Sequence, residues 1–303
     1  MSLRVFELFG YAPENESAVA ANYRKRSECP FVGEVCIKRF KSGLVSGVCS
    51  LKPAKSGPVI CCPNRMYAGE YKVLIDVAND AFGDGMRLCR TIADAKGDGK
   101  DVVVFGKRWG KELRLPNRGT GGGYFVDWVL ALINRERKLE GFVAVELQTM
   151  DTTGSYEAEV RAHLSGEPWE GYSKAGINWE NVSKRILPQI IFKGHVLRNE
   201  PLCTKGMYFI CPAPVNERIM TRLGNDLRNY HPHPGAITFR WYDLGESNAP
   251  DQPKELIFTG QMTTTVDQVA LAFTSPKNLP SAGVYEAAIR AELESKKEKN
   301  SEA

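Results

Sequence analysis

Two groups of residues in this chain have the types and spacing to do chemistry, and each suits a different kind of metal. The first is a set of carboxylates on apolar segments. In FVAVELQTMD (142–151) strand alternation sets Glu146 and Gln148 on one face while Val145 and Leu147 point the other way. A carboxylate on an otherwise apolar strand is expensive to bury without a purpose. Nineteen residues earlier Asp127 interrupts YFVDWVLALI in the same manner, and Glu112 stands fifteen residues before that in KELRL. Three carboxylates rising from neighbouring strands offer hard oxygen ligands to magnesium. An ion held there would activate a water and stabilise the charge that builds on a phosphodiester. On the residues alone, helix caps and surface ion pairs account for the same carboxylates equally well.

The second group is cysteine. Five of the eight cysteines fall between residues 29 and 62, as Cys29, Cys36, Cys49, Cys61 and Cys62, while Cys89, Cys203 and Cys211 are scattered. A long chain with no export signal points to a metal rather than to a disulfide framework. Four thiolates close a tetrahedral site for zinc or iron. The spacing Cys29-x6-Cys36-x12-Cys49-x12-Cys62 has no CxxC knuckle, so buried free cysteines stay open as the other reading. Adjacent Cys61 and Cys62 supply one sulfur too many, and one of them must pack instead.

The elements that must position these residues come from a chain of 303 residues, 43% hydrophobic and 25% charged, values that exclude wholesale disorder. No apolar run reaches the roughly 18 residues that span a bilayer, and the N-terminus lacks the apolar stretch of a signal peptide. A soluble, cytoplasmic protein is expected. Net charge is only +4, but residues 22–55 hold eight basic side chains against two acidic, and residues 184–240 nine against three. Concentrated positive segments suit a polyanion, although solvated faces look the same by charge alone.

Patterning predicts a helix around Lys72–Ala81, a turn-rich break at KGDGKD (96–101), and strands at Val102–Phe105, Lys111–Leu115, Tyr124–Ile133 and Gly141–Met150. The last two form a plausible antiparallel pair. A helix follows from near Ser155, with Asp151 placed to cap it, and another spans Trp179–Leu197 with Pro188 as a kink or break. Strands are expected at Lys205–Cys211, Ala236–Asp243 and Leu256–Gly260, with helices near Val215–Leu227 and Thr264–Phe273. From Val284 a helix dissolves into a solvated tail, ESKKEKNSEA. GTGGGY (119–124) lacks the Lys-Ser/Thr ending of a P-loop and reads as a turn, as does HPHP (231–234).

An Asp followed on the next strand by (Asp/Glu)-x-Lys is the layout of the PD-(D/E)xK nucleases, and Asp127 with Glu146-x-Gln148 departs from it only in the last residue. More specifically, CPF (29–31), CIK (36–38), GVC (47–49), CPNR (62–65), FVDW (125–128) and VELQTMDTTGSY (145–156) together resemble the NotI restriction endonuclease family. The resemblance is dense over residues 29–156 and thinner beyond. It implies an α/β PD-(D/E)xK nuclease core, a central mixed sheet flanked by helices, with an N-terminal metal-binding domain built on four cysteines. The division expected is 1–95 for the metal-binding region and 96–303 for the endonuclease core with its DNA-binding elements.

The resemblance further implies a homodimeric, Mg2+-dependent type II restriction endonuclease that cuts double-stranded DNA at a GC-rich palindrome, within a restriction-modification system. By motif, the structural iron site (zinc being the alternative metal) falls to Cys29, Cys36, Cys49 and Cys62, which selects Cys62 over Cys61. Asp127 and Glu146 become the magnesium ligands, Glu112 an additional active-site glutamate, and Gln148 the residue that bonds water or phosphate. That family itself carries Gln where most PD-(D/E)xK enzymes carry Lys. The metal site would hold Arg24, Lys25, Arg26, Lys38, Arg39 and Arg65 where DNA can reach them. Base or phosphate contacts are expected among Lys184, Arg185, Arg198, Arg218, Arg222 and Arg228, because arginine pairs bidentately with guanine, although each singly also reads as a surface residue. The competing readings are a nuclease of another defence or repair pathway, and a non-catalytic DNA-binding protein whose metal domain alone matters.

Overall fold

The computed structural model describes residues 2–115, 124–246, 249–275, 277 and 279–301. It opens with a three-stranded antiparallel sheet in which β2 (Val48–Pro53) lies between β1 (Leu3–Leu8) and β3 (Val59–Ile60), with α1 (Ala18–Arg26) inserted after β1. Sequence patterning gave no sign of β1. It pairs with β2 some 45 residues on, where a one-strand window has no partner to reveal it.

The centre is a mixed seven-stranded sheet. Its elements in chain order are α2 (Ala68–Phe82), β4 (Arg87–Cys89), β5 (Asp101–Gly106), the small pair β6 (Arg114–Leu115) and β7 (Tyr124–Phe125), then β8 (Trp128–Ile133) and β9 (Leu139–Leu147). A second small pair, β10 (Thr152–Thr153) and β11 (Gly176–Ile177), brackets α3 (Glu157–Ser165). There follow α4 (Leu187–Leu197), β12 (Met207–Pro212), α5 (Ala213–Leu223), β13 (Ala236–Leu244), β14 (Leu256–Thr265), α6 (Val266–Thr274) and α7 (Val284–Ser301). Across the sheet the order is β14-β13-β12-β9-β8-β5-β4, with β12 parallel to both neighbours, β4 parallel to β5, and the other pairs antiparallel. The expected mixed sheet flanked by helices is therefore present, and β8 and β9 are the expected antiparallel pair. Both α2 and β4 precede residue 96, yet they lie against and within this sheet.

Alternation decides which face each strand buries. Ala144, Met207, Phe209, Ile237 and Phe239 point to the layer of α4, α5 and α6, which supplies Leu187, Ile190, Val215, Ile219 and Val266. Val143, Val145, Leu130, Tyr208 and Tyr242 point to the other side, where α2 brings Val73, Leu74 and Val77. The valine, leucine, isoleucine, phenylalanine and methionine side chains among these each contribute about 1.5–3 kcal/mol by leaving water. Strand β12 is buried along its whole length, as a central strand parallel to its neighbours and covered on both faces should be.

Several boundaries differ from the patterning. Lys111–Glu112–Leu113 is an open segment, and only Arg114–Leu115 of KELRL pairs as a strand. The stretch 124–133 is two strands, broken at Val126 and Asp127. Strand β9 ends at Leu147 rather than at Met150. Helix α2 runs through positive φ at Gly69, Glu70 and Tyr71, so regular helix begins at Lys72, where patterning placed it. Near Pro188 the helix is broken by a π turn at Val182–Ile186. The tail stays helical to Ser301, because Ala, Glu and Lys are strong helix formers and Glu286 pairs with Arg290 one turn on. GTGGGY lies outside the described residues except for Tyr124. Among the described residues no helix is long and apolar enough to cross a membrane.

Candidate active site

The break between β7 and β8 makes the site. With residue 127 out of the ladder, its carboxylate takes the place of a backbone acceptor, and the Leu147 N–H donates to Asp127 Oδ2 at 2.9 Å. In return the backbone amide of Asp127 reaches the Glu146 carboxylate. The start of β8 and the end of β9 thus clasp one another through the two acids that the sequence singled out. Desolvation by the surrounding protein raises the Asp127 carboxyl, although the residue as a whole stays exposed; the Leu147 amide and the Lys193 charge oppose this, and the nearby Glu112 adds to it. Burial, reinforced by Asp127, pushes Glu146 up to about 7 in spite of the ammonium beside it. Like charges at short range raise a carboxyl, here Asp127 acting on Glu146 and Glu112 acting on Asp127.

That ammonium belongs to Lys193 on α4, which sequence reasoning missed. Its Nζ donates to Glu146 Oε1 at 2.5 Å, with both side chains almost withdrawn from solvent. The signal available was a lysine in a mostly apolar helix, LPQIIFKGHVL, and no pattern says which carboxylate such a lysine will meet. Gln148 turns out of the strand, its backbone N–H still bonded to Ile210 O and its side-chain amide donating to Thr149 O at 2.7 Å.

Asp127 and Gln148 border a cleft of about 710 Å³ whose two walls come from the two parts of the chain. Glu112, Asp127 and Gln148 line one side, with Lys107 and Arg108; Lys38, Cys61, Cys62 and Asn64 line the other. The loop carrying Glu112 is tied across the gap by an ion pair from Arg108 to Glu34. Folding of the cysteine segment therefore helps to place a catalytic candidate.

Cys29, Cys36, Cys49 and Cys62 are all buried and all reduced. They lie within electrostatic reach of one another: Cys49 is raised well above the thiol range by burial first, then by Cys62 and Cys29 among others, and Cys36 acts on Cys29. Burial, and then Cys61, take Cys62 up to about 12. Backbone amides of Phe31 and Val32 turn toward the Cys29 sulfur, and that of Asn64 toward Cys62, the arrangement that favours thiolate. Cys61 is engaged otherwise, lying 3.6 Å from Lys38 Nζ and against the carbonyls of Val48 and Cys49. Burial works against the Lys38 ammonium, but Cys61, Tyr156 and Cys62 outweigh it and its pKa rises. Among the described residues no three His, Cys, Asp or Glu side chains converge tightly enough to form a metal-binding group as they stand.

The CPNR segment is pinned from below. Arg65, fully buried, bonds Glu7 through Nε at 3.0 Å and the Lys254 carbonyl through Nη2 at 2.6 Å, and it stacks on Phe31. Ser50 completes the Glu7 carboxylate at 2.7 Å. Removing one partner of such a buried pair costs about 3–5 kcal/mol. Arg65 is therefore no DNA contact, a correction to its place among the basic residues expected to face DNA. Asp151 does not cap α3; its carboxylate pairs with Arg185 and Asn181, while Ser155 Oγ accepts from the Glu157 amide. Of the second basic group, Lys184 pairs with Glu180, Arg198 with Asp267, Arg218 stacks on Trp179, and Arg222 bonds the Phe273 carbonyl. His231 and His233 share an exposed turn.

The chain matches no protein-family model and no curated protein.

Proposed function

We propose that the protein is a Mg2+-dependent, site-specific endonuclease of double-stranded DNA, with a PD-(D/E)xK-type core and a structural metal site of four cysteines. The observation that carries this reading is the mutual clasp of Asp127 and Glu146 at the edge of a cleft that also collects Glu112, Gln148, Lys107 and Arg108. A cluster in which Glu112 raises Asp127 and Asp127 raises Glu146 forms the donor set that a small hard dication relieves. Asp127 and Glu146 would hold magnesium, which when bound supplies an activated water and stabilises charge on the phosphate. Glu112 orients the attacking water. Gln148, which does not titrate, offers hydrogen bonds to water or phosphate. Lys107 in the cleft wall, with Lys38 and Arg108 near it, offers cations that a DNA backbone could meet once metal offsets the carboxylates.

Cys29, Cys36, Cys49 and Cys62 would bind iron or zinc by their sulfurs, and the amides facing Cys29 and Cys62 support thiolate there. Such a site is structural, since four protein ligands leave no position for substrate. The motif resemblance to NotI-type restriction enzymes extends the proposal to a homodimer acting on a GC-rich palindrome, because a two-fold site calls for a two-fold protein.

The test is digestion of unmethylated, GC-rich DNA with magnesium by the wild type and by Glu146→Ala. Discrete fragments from the wild type, and at least a ~10²-fold slower reaction from the variant, are expected. Binding without cutting by both proteins alike would instead favour a non-catalytic DNA-binding protein.

A further inference from the structure

Lys193 sits on the buried face of α4, 7% exposed, where the positions around it hold Ile190, Gly194 and Leu197. An ammonium placed there must be desolvated, and unless its partner repays that loss an apolar side chain would serve packing better. Its partner is Glu146, and its charge also reaches Asp127. The approach depends on the next residue. A Cβ on Gly194 would come within 2.9 Å of a Val266 methyl, so only glycine lets α4 settle this deeply against α6. The helix is thus packed closely at the one turn that delivers the lysine.

The (Asp/Glu)-x-Lys layout asks for a cation two residues after the glutamate, and this chain has Gln148 there, its amide turned to the Thr149 carbonyl. Gln148 brings hydrogen bonds and no charge. We propose that Lys193, delivered from α4, supplies the missing cation: it is the positioning residue that holds Glu146 in its clasp with Asp127 and gives the carboxylate pair its fixed positive charge. The proposal rests on the nuclease reading above and names a residue that the motif does not contain. The substrate-side consequence is definite. Without the ammonium, Glu146 lies in a buried corner beside Asp127 with only the Asp127 backbone amide to direct it, so turnover falls while DNA affinity, set elsewhere in the cleft, stays.

The experiment compares the wild type, Lys193→Gln and the double variant Lys193→Gln/Gln148→Lys for cleavage, for DNA binding without divalent metal, and for Mg2+ binding by calorimetry. Gln148 lines the same cleft as Asp127, one residue past the end of β9, so a lysine at 148 can bring its charge to the same carboxylates. The expected result for Lys193→Gln is a ~10²-fold fall in kcat with KM and metal-free DNA binding unchanged. Its Mg2+ affinity should differ from wild type by about tenfold or more, because the cation competing for Glu146 is gone. The double variant should recover at least about tenfold of the lost kcat. Wild-type turnover by Lys193→Gln overturns the proposal, as does a loss of cleavage that the double variant does not recover at all. Should Lys193→Gln not melt cooperatively, Lys193→Arg replaces it: that variant cuts DNA under the proposal, and a folded, inert Lys193→Arg overturns it. A wild type that cuts no DNA is a separate result, and it removes the nuclease reading itself.

Discussion

The two walls of the cleft solve the burial of reactive groups in opposite ways. On the carboxylate wall each acid has a partner already in place: the Leu147 amide for Asp127, and the Asp127 amide and Lys193 for Glu146. On the cysteine wall burial alone dominates, and it drives the thiols of Cys29, Cys49 and Cys62 upward. The nearest ammonium, Lys38, is committed to Cys61. A wall that carries its own cation can exchange a metal with solvent and stay folded. A wall of buried thiols whose ammonium is committed to Cys61 gains most from a resident metal. On the reading proposed above, this is the difference between a catalytic site and a structural one.

The largest effect that sharpens the contrast is loss of a sulfur ligand. Cys49→Ser should release the structural metal and lower the melting temperature by ~5 °C or more, measured by metal analysis and calorimetry on the same sample. Full metal content with unchanged melting would remove Cys49 from the ligand set and leave the thiols as packing. Because the Glu112 loop is tied to the cysteine segment through Arg108 and Glu34, the same variant should also slow cleavage.

A smaller effect tests the carboxylate wall in metal-free protein. Glu146 has its folded pKa raised to about 7 from an ordinary 4.5. Between those values the folded state holds a proton that the unfolded state has lost, so this group's contribution to stability falls as pH rises through the window. Wild type minus Glu146→Gln, melted at pH 5 and pH 8, should show a stability difference on the order of 1 kcal/mol or more, larger at pH 5. Magnesium at pH 8 should restore it. A difference that does not change with pH would mean that Lys193 already neutralises Glu146 completely, and the two walls would then stand even further apart.

Much of this was legible in the sequence because it follows from short-range pattern. The alternation in FVAVELQ and the lone Asp in FVDWVLALI mark β9 and β8 and the two acids that clasp between them. What was not legible depends on distance. Lys193 meets Glu146 across 47 residues, and Arg65 meets Glu7 across 58, so a residue that reads as surface-basic is a fully buried arginine in the fold. Strand β1 was invisible for the same reason. Asp151 misled because a carboxylate before a helix usually caps it, whereas here the π turn brings Arg185 and Asn181 within its reach.

The smallest effect separates two adjacent cysteines. Cys61 is enclosed by the Val48 and Cys49 carbonyls and by Lys38, contacts that a hydroxyl can keep, so Cys61→Ser should retain the metal and shift stability by no more than ~1 kcal/mol. Cys62→Ser removes the sulfur that the Asn64 amide supports, and it should behave like Cys49→Ser. If the pair reversed, with Cys61→Ser losing the metal, the ligand would be the sulfur beside Lys38. The cysteine wall would then carry a fixed cation of its own, and the contrast between the two walls would fail at its first premise.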